Sequence, residues 1–157
     1  MGSASQIYLV RHAKAGDRNA WTGDDAQRPL SHAGERQARA IGTRLAKRGV
    51  TVLYSSPYAR CVGTLQPLAA ELDTEVRVEQ RLHEGTPFEQ VLTLIAEVED
   101  GAVLCSHGDV IGEVISALHR RGMEVDTPVE WRKASVWVLR RKRDRITRGK
   151  VWPPPST

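Results

Sequence analysis

The stretch Ile7-Tyr8-Leu9-Val10-Arg11-His12 decides the fold. Its first four residues are apolar without interruption, which is typical of a strand that is buried on both faces of a parallel sheet. Arg11 and His12 follow directly at the end of that strand. Ligands of open α/β sheets bind beyond the carboxyl ends of the strands, so these two side chains stand where a ligand is expected.

Two further apolar runs, Val52–Tyr54 and Ala102–Cys105, predict strands, and Val76 and Val78 mark a more polar strand nearer an edge. An amphipathic helical pattern follows each of the four. Four strand-then-helix units indicate an α/β fold, a three-layer sandwich with a mostly parallel sheet and helices on both faces. A fifth run, Ser135–Leu139, predicts one antiparallel strand, which a preceding loop brings back into the sheet.

Three start signals place the helices along the chain. Ser31 is a cap residue before the first helix, and Ser56-Pro57 predicts a start with proline at the first helical position. Thr86-Pro87-Phe88-Glu89 has the pattern of a capping box.

The length of 157 residues predicts a single domain, which we place at residues 6–152. Residues 1–5 are small and polar and are expected to be disordered or an artificial addition, and residues 153–157 form a Pro-rich tail. No apolar run approaches the ~20 residues of a membrane span, and the N-terminus lacks the apolar region of a signal peptide. We therefore expect a cytoplasmic protein with no membrane partner.

The positive charge is concentrated near the C-terminus. The chain carries +4 overall, but residues 132–150 hold nine Lys or Arg and one acid, so the remaining residues carry −4. We interpret the run Arg140–Arg145 as a charged turn or strand edge. A nucleic-acid contact through residues 140–150 is the alternative, which one Phe and three Tyr for base stacking disfavour.

Cysteine and histidine spacing indicates no metal site. Cys61 and Cys105 are too far apart for a redox or zinc pair, and their apolar neighbours predict buried free thiols. The five histidines form neither HExxH nor a Cys/His cluster. We predict neither a metal nor a cofactor.

Two arginines and two histidines come together at the strand ends. Besides Arg11 and His12, Arg60 lies in the first turn of the helix after the second strand, and Ser106-His107-Gly108 ends the fourth. An arginine at the positive end of a helix is unfavourable unless an anion joins it, and the guanidinium fork fits phosphate oxygens.

The sequence lacks the motifs of other phosphate-binding and hydrolytic sites. The chain has no GxxxxGK[ST] loop, no Cys followed six residues later by Arg, and no GxSxG elbow. A histidine nucleophile remains, since neutral imidazole can attack phosphorus and form a phosphohistidine.

These residues carry a resemblance to a known family. Leu9-Val10-Arg11-His12-Ala13, Arg60 and Ser106-His107-Gly108, in this order, resemble the histidine phosphatase superfamily, with its phosphoglycerate mutase-like fold. Within it, Asp25–Ser31, Gly34 and Gln37-Ala38 resemble the SixA phosphohistidine phosphatase branch. Arg60-Cys61, Pro67–Leu72 and Arg132–Leu139 are also similar to the phosphatase half of actinobacterial MutT-type Nudix fusions.

The resemblance implies roles for the pocket residues. His12 is the expected nucleophile, and Arg11, Arg60 and His107 are expected to hold the phosphoryl oxygens. A core histidine and structural ion pairs are the alternative interpretations. Gly108 either keeps a tight loop whose N–H groups face the anion or is a plain turn glycine.

Three further residues have an open assignment. Glu84 is either the proton donor or a carboxylate that pairs with Arg60 or stays on the surface. An imidazole leaving group, with a pKa near ~6.5, needs little help from such an acid, whereas an alkoxide needs a proton. Arg28 and Lys14 on the long loop 13–30 either contact the substrate or a partner protein, or are solvated charges.

The resemblance also bears on substrates. Residues 80–86 are too short to hold a lid, so we expect an open pocket that admits a phosphohistidine on a protein partner or a small phosphorylated substrate such as a nucleotide. No Nudix box is present. A binding module that docks phosphorylated partners without turnover is the alternative from a different class.

Overall fold

The computed structural model describes residues 5–156, which form seven strands and four α-helices. The strands are β1 (Ser5–Arg11), β2 (Val52–Ser55), β3 (Val76–Val78), β4 (Ala102–Ser106), β5 (Glu124–Val125), β6 (Val136–Lys142) and β7 (Arg145–Trp152). The helices are α1 (His32–Leu45), α2 (Ala59–Glu71), α3 (Phe88–Glu97) and α4 (Gly108–Arg120), and short 3₁₀ turns lie at Asp25–Gln27 and Gln80–Leu82.

The strands form one sheet in the order β3-β2-β4-β1-β6-β7-β5. All of these strands run in one direction except β6, which is antiparallel to both β1 and β7. The prediction of a mostly parallel sheet with one antiparallel strand is confirmed. Strands β5 and β7 were not predicted, because the frequent cations of residues 145–150 hide the alternation of buried and exposed positions in β7.

Helices cover both faces of the sheet, as predicted. On β1, Ile7 and Leu9 pack into the core beneath α3 and α4, and Tyr8 and Val10 pack into the core beneath α1 and α2. All four side chains are fully buried. The uninterrupted apolar run therefore reflects a central strand between two helical layers.

One of the three helix starts agrees with the sequence prediction. The Ser31 hydroxyl caps α1 by accepting the Gly34 N–H at 3.1 Å. The prediction for Ser56-Pro57 is wrong, because Ser56 continues the sheet by donating its N–H to the Cys105 carbonyl, and α2 begins at Ala59. The capping box is also wrong: the Thr86 hydroxyl donates to the His83 carbonyl, and α3 begins at Phe88.

The basic run is the turn of a β-hairpin, in agreement with the expected charged turn. Arg143 and Asp144 connect β6 to β7, and Arg143 has a positive φ of 62°. Arg141, in contrast to its neighbours, is buried and donates to the carbonyls of Ile95 and Val98 at 2.9 and 2.7 Å. Its guanidinium therefore satisfies carbonyls at the C-terminal end of α3.

The two ends of the described chain differ in secondary structure. Residues 1–4 of the expected disordered segment lie outside the described residues, but Ser5 begins β1, which corrects the prediction for that position. Residues 153–156 follow β7 without helix or strand, and residue 157 lies outside the described range. Among residues 5–156, the helices are too short and too polar to cross a membrane.

Replacing Arg141 tests the link between the hairpin and α3. We expect Arg141→Met to lower the free energy of unfolding by about 2–3 kcal/mol, because two buried carbonyls lose their donor. Urea unfolding followed by circular dichroism measures the change. The exposed neighbour Arg140→Met is the control, and an equal loss in the two variants would contradict this role for Arg141.

Candidate active site

The strand register brings the predicted pocket residues together. Arg11 at the end of β1 lies beside Ser106 at the end of β4, and the His12 N–H donates to the Ser106 carbonyl at 3.1 Å. The next residue of each segment is a histidine, so His12 and His107 face each other with ring centroids 5.5 Å apart. Arg60 joins them from the second position of α2, which follows β2 on the other side of β4.

These side chains line one cavity of about 520 Å³. The full lining is Arg11, His12, Arg18, Arg28, Arg60, Glu84, His107, Gly108, Asp109 and Lys133. The cavity therefore holds the four residues predicted from the strand ends, together with Glu84, Arg28 and Gly108. Lys14 is exposed and does not line it.

His12 is a buried neutral imidazole. Its Nδ1 lies 2.8 Å from the Ala13 carbonyl, which can only accept, so Nδ1 carries the proton and Nε2 keeps its lone pair. Burial lowers the pKa of His12 to about 3, partly opposed by the bond to Ala13 and helped by His107, Arg60 and Arg11 nearby. At neutral pH this ring has the charge state of a nucleophile.

His107 is oriented by a hydroxyl on its far side. The Ser56 Oγ lies 2.8 Å from His107 Nε2, and the Cys61 thiol lies 3.6 Å from the same atom. When the Ser56 hydroxyl donates to Nε2, the proton of the neutral ring stays on Nδ1. Ser56 was missed as a site residue by the sequence analysis, which assigned it to a helix cap.

Three buried donors in the cavity have no hydrogen-bond partner within residues 5–156. They are Arg11 Nε, Arg60 Nε and His107 Nδ1, and the fourth such atom of the described chain is Trp137 Nε1 in the core. Buried polar groups in native proteins are almost always paired. Three such donors around His12 therefore form a site that is suited to an anion.

Asp25 holds two of the arginines in place. The Arg60 guanidinium, which is 1% exposed, donates to the Asp25 carbonyl at 2.9 Å and to its carboxylate at 3.1 Å. Arg28 donates to the other carboxylate oxygen at 3.0 Å. Partial burial would raise the pKa of Asp25, but the hydrogen bonds and charges of Arg28 and Arg60 outweigh it and lower the pKa. The carboxylate stays ionised.

Asp25 corrects part of the sequence interpretation. The alternative partner suggested for Arg60 was Glu84, whose Oε1 lies 3.8 Å from Arg60 Nη2, a longer approach than that of Asp25. Asp25 lies in the stretch that resembles the SixA branch. Nothing in the sequence distinguishes it from the adjacent Asp24, so its role becomes visible only when α2 packs on the loop.

Glu84 and Arg28 differ in how freely they can reach a substrate. The Glu84 side chain is 39% exposed at the cavity, where it can approach a leaving group. Arg28 is buried and already donates to Asp25 and to the Gly16 carbonyl. Its contact with a substrate stays a prediction, as does that of Lys14.

Gly108 makes room for Arg11. It is the first residue of α4, so the interpretation as a plain turn glycine is wrong. A Cβ at this position would lie 2.7 Å from Arg11 Cζ, so a larger residue would force the Arg11 guanidinium to move. Arg11 is held in that space by a bond of 2.5 Å from Nη1 to the Trp131 carbonyl.

Comparisons with known proteins agree with this geometry. A family model described as the histidine phosphatase superfamily (branch 1) matches residues 7–86. The 8-oxo-(d)GTP phosphatase of Mycolicibacterium smegmatis is 35% identical over 139 residues, which cover 85% of this chain and 43% of that protein. The chain spans less than half the length of the curated relatives it matches.

Solved structures share the fold. The protein histidine phosphatase SixA complexed with tungstate superimposes with a TM-score of 0.73 at 20% identity, covering 90% of this chain and 92% of that chain. A mycobacterial glucosyl-3-phosphoglycerate phosphatase reaches 0.71 at 18% identity, covering 99% of this chain and 100% of that chain. These likenesses confirm the phosphoglycerate mutase-like fold.

Replacing Ser56 tests whether its hydrogen bond orients His107. We expect Ser56→Ala to lower kcat/KM for phosphate-ester hydrolysis about tenfold to a hundredfold, because Nδ1 loses its fixed protonation as a donor. Ser55→Ala is the matched control, since the Ser55 hydroxyl is buried but donates only to the Ser56 carbonyl. Equal rates for Ser56→Ala and wild type would remove the positioning role.

Proposed function

This chain belongs to the histidine phosphatase superfamily, and from that premise we propose that it hydrolyses phosphoryl groups through a phosphohistidine on His12. One observation carries the proposal: a neutral imidazole with a free Nε2 lies among three buried donors that have no partner in the described chain. A phosphoryl group would satisfy those donors while its phosphorus meets the nucleophile.

The reaction proceeds in two displacements. His12 Nε2 attacks phosphorus, the N–P bond forms, and the bond from phosphorus to the leaving group breaks. Water then attacks the same phosphorus, the N–P bond breaks, and phosphate leaves while Nε2 recovers its lone pair. Arg11, Arg60 and His107 hold the equatorial oxygens and stabilise the charge of both transition states.

The charge of the cavity supports a reaction without a metal ion. Its lining has five Lys or Arg side chains against two carboxylates, Glu84 and Asp109. A divalent cation would be repelled by this excess, whereas guanidinium groups supply the positive charge that a metal supplies in other phosphatases. We expect full activity in EDTA.

We propose protein phosphohistidine as the first substrate class. The connection between β3 and α3 holds only one 3₁₀ turn, Gln80–Leu82, and leaves the cavity accessible from outside. An imidazole leaving group also departs from phosphorus without protonation by a strong acid. This suits a site whose candidate acid, Glu84, lies beside the Arg60 guanidinium.

A small phosphorylated substrate is the second candidate. The observation in its favour is the 35% identity to a protein whose name describes it as an 8-oxo-(d)GTP phosphatase. The accessible cavity accommodates the terminal phosphate of a nucleotide equally well.

Removal of the nucleophile separates an enzyme from a binding module. We expect His12→Ala to abolish turnover of an aryl phosphate in EDTA, and wild type to trap acid-labile phosphate on residue 12 after a rapid quench. His32→Ala, at an exposed position in α1, is the control. Stoichiometric binding of phosphate by wild type without turnover would show that the chain is a binding module.

Glu84→Gln tests the proton donor. If Glu84 protonates leaving groups, hydrolysis of an alkyl phosphate slows about a hundredfold or more, whereas hydrolysis of phosphohistidine in a peptide slows less than threefold. Parallel initial rates measure the two effects, with the exposed Glu113→Gln as control. Equal slowing of the two substrates would refute the assignment.

A further inference from the structure

Two cations of the cavity have no partner among residues 5–156. Arg18 and Lys133 form no ion pair and no side-chain hydrogen bond there. Arg60 and Arg28, in contrast, share the Asp25 carboxylate, and Arg11 donates to a carbonyl. The reacting phosphoryl group is already served by Arg11, Arg60 and His107, so the other two charges exceed what one phosphoryl group needs.

Lys133 is held beside the nucleophile by the backbone. The N–H of the next residue, Ala134, lies 3.2 Å from the Arg11 carbonyl and 3.1 Å from the His12 carbonyl. Ala134 has a φ of 69°, an unfavourable conformation for a residue with a Cβ, and it is fully buried. The strained position is typical of a segment whose placement serves a site.

The cations around Lys133 repel one another. Partial burial, followed by the charges of Arg11, Arg28, Arg18 and Lys14, lowers the pKa of Lys133. A second anion at this place would relieve the repulsion and would leave the reacting phosphoryl group with its own donors.

We propose that Lys133 and Arg18 form a second anion subsite, which binds a phosphate on the leaving side of the scissile bond. Among small phosphorylated substrates, the subsite favours the terminal phosphate of a diphosphate, such as a nucleoside diphosphate. The inference rests on the proposed function and narrows its second substrate class. The imidazole that leaves a phosphohistidine carries no second phosphate and does not use the subsite.

The chemistry of a diphosphate suits this arrangement. His12 Nε2 attacks the terminal phosphorus, the N–P bond forms, and the bond from that phosphorus to the bridging oxygen breaks. The bridging oxygen leaves with the inner phosphate as a monophosphate, whose negative charge stays on the subsite. Water then releases inorganic phosphate from His12. A phosphate leaving group has a pKa near ~6 and needs no strong acid.

The test compares ADP with AMP, which differ only by one phosphate, and uses an aryl phosphate as reference. For wild type we expect kcat/KM for ADP to exceed that for AMP about tenfold or more. Lys133→Ala and Arg18→Ala should each lower the ADP value about tenfold, as expected for loss of one charge-assisted bond, and change the AMP value less than threefold. Lys133→Arg should retain most of the preference.

Controls separate the possible failures. Lys142→Ala, an exposed cation at the end of β6, should leave both values unchanged. Inorganic pyrophosphate should inhibit aryl phosphate hydrolysis more strongly than phosphate in wild type, but not in Lys133→Ala. Turnover of the aryl phosphate with no preference for ADP, or with equal losses for ADP and AMP, would overturn the subsite. Failure to hydrolyse any of the three substrates would count against the proposed function itself.

Discussion

The site depends on the parallel pairing of β1 with β4. This register sets Arg11 beside Ser106 and ties the His12 N–H to the Ser106 carbonyl, so that the residues after the two strands meet. Both strands are buried between helical layers, and a shift by one residue would turn every core side chain to the wrong face. The hydrophobic core therefore enforces the distance between the two histidines.

Positive charge near His12 is balanced by a small number of contacts. Asp25 accepts from Arg60 and Arg28 and is the carboxylate that keeps these two guanidinium groups together at the cavity wall. Burial and, after it, the charges of His107, Arg60 and Arg11 keep His12 neutral, and the excess of cations in the cavity attracts an anion. An anionic phosphoryl group would relieve the repulsion between these cations.

Several residues adopt arrangements that disfavour folding, and their location at the site explains why. Ala134 adopts a left-handed conformation, three buried donors are unpaired in the described chain, and Gly108 gives up its side chain so that Arg11 can approach α4. Away from the site, Arg141 stabilises the fold, because it points inward from the basic hairpin and donates to carbonyls at the end of α3. Arginine therefore has different roles in this protein: Arg141 stabilises the fold, whereas the arginines of the cavity provide charge for an anion.

The sequence alone determined the α/β layers, the antiparallel β6, and the meeting of Arg11, His12, Arg60 and His107, because apolar runs specify buried strands and parallel strands present their ends at one edge. Only the tertiary structure decided the rest. Arg18 and Lys133 line the cavity from a loop and from a basic run without periodicity. Asp25 and Ser56 act on the cavity through Arg60 and His107, which lie far from them in the chain. Strand β7 was missed for a related reason, since its pairing with β6 buries positions that its charges conceal. Local patterns encode which face of an element is buried, whereas the partners of a loop side chain depend on the packing of the whole domain.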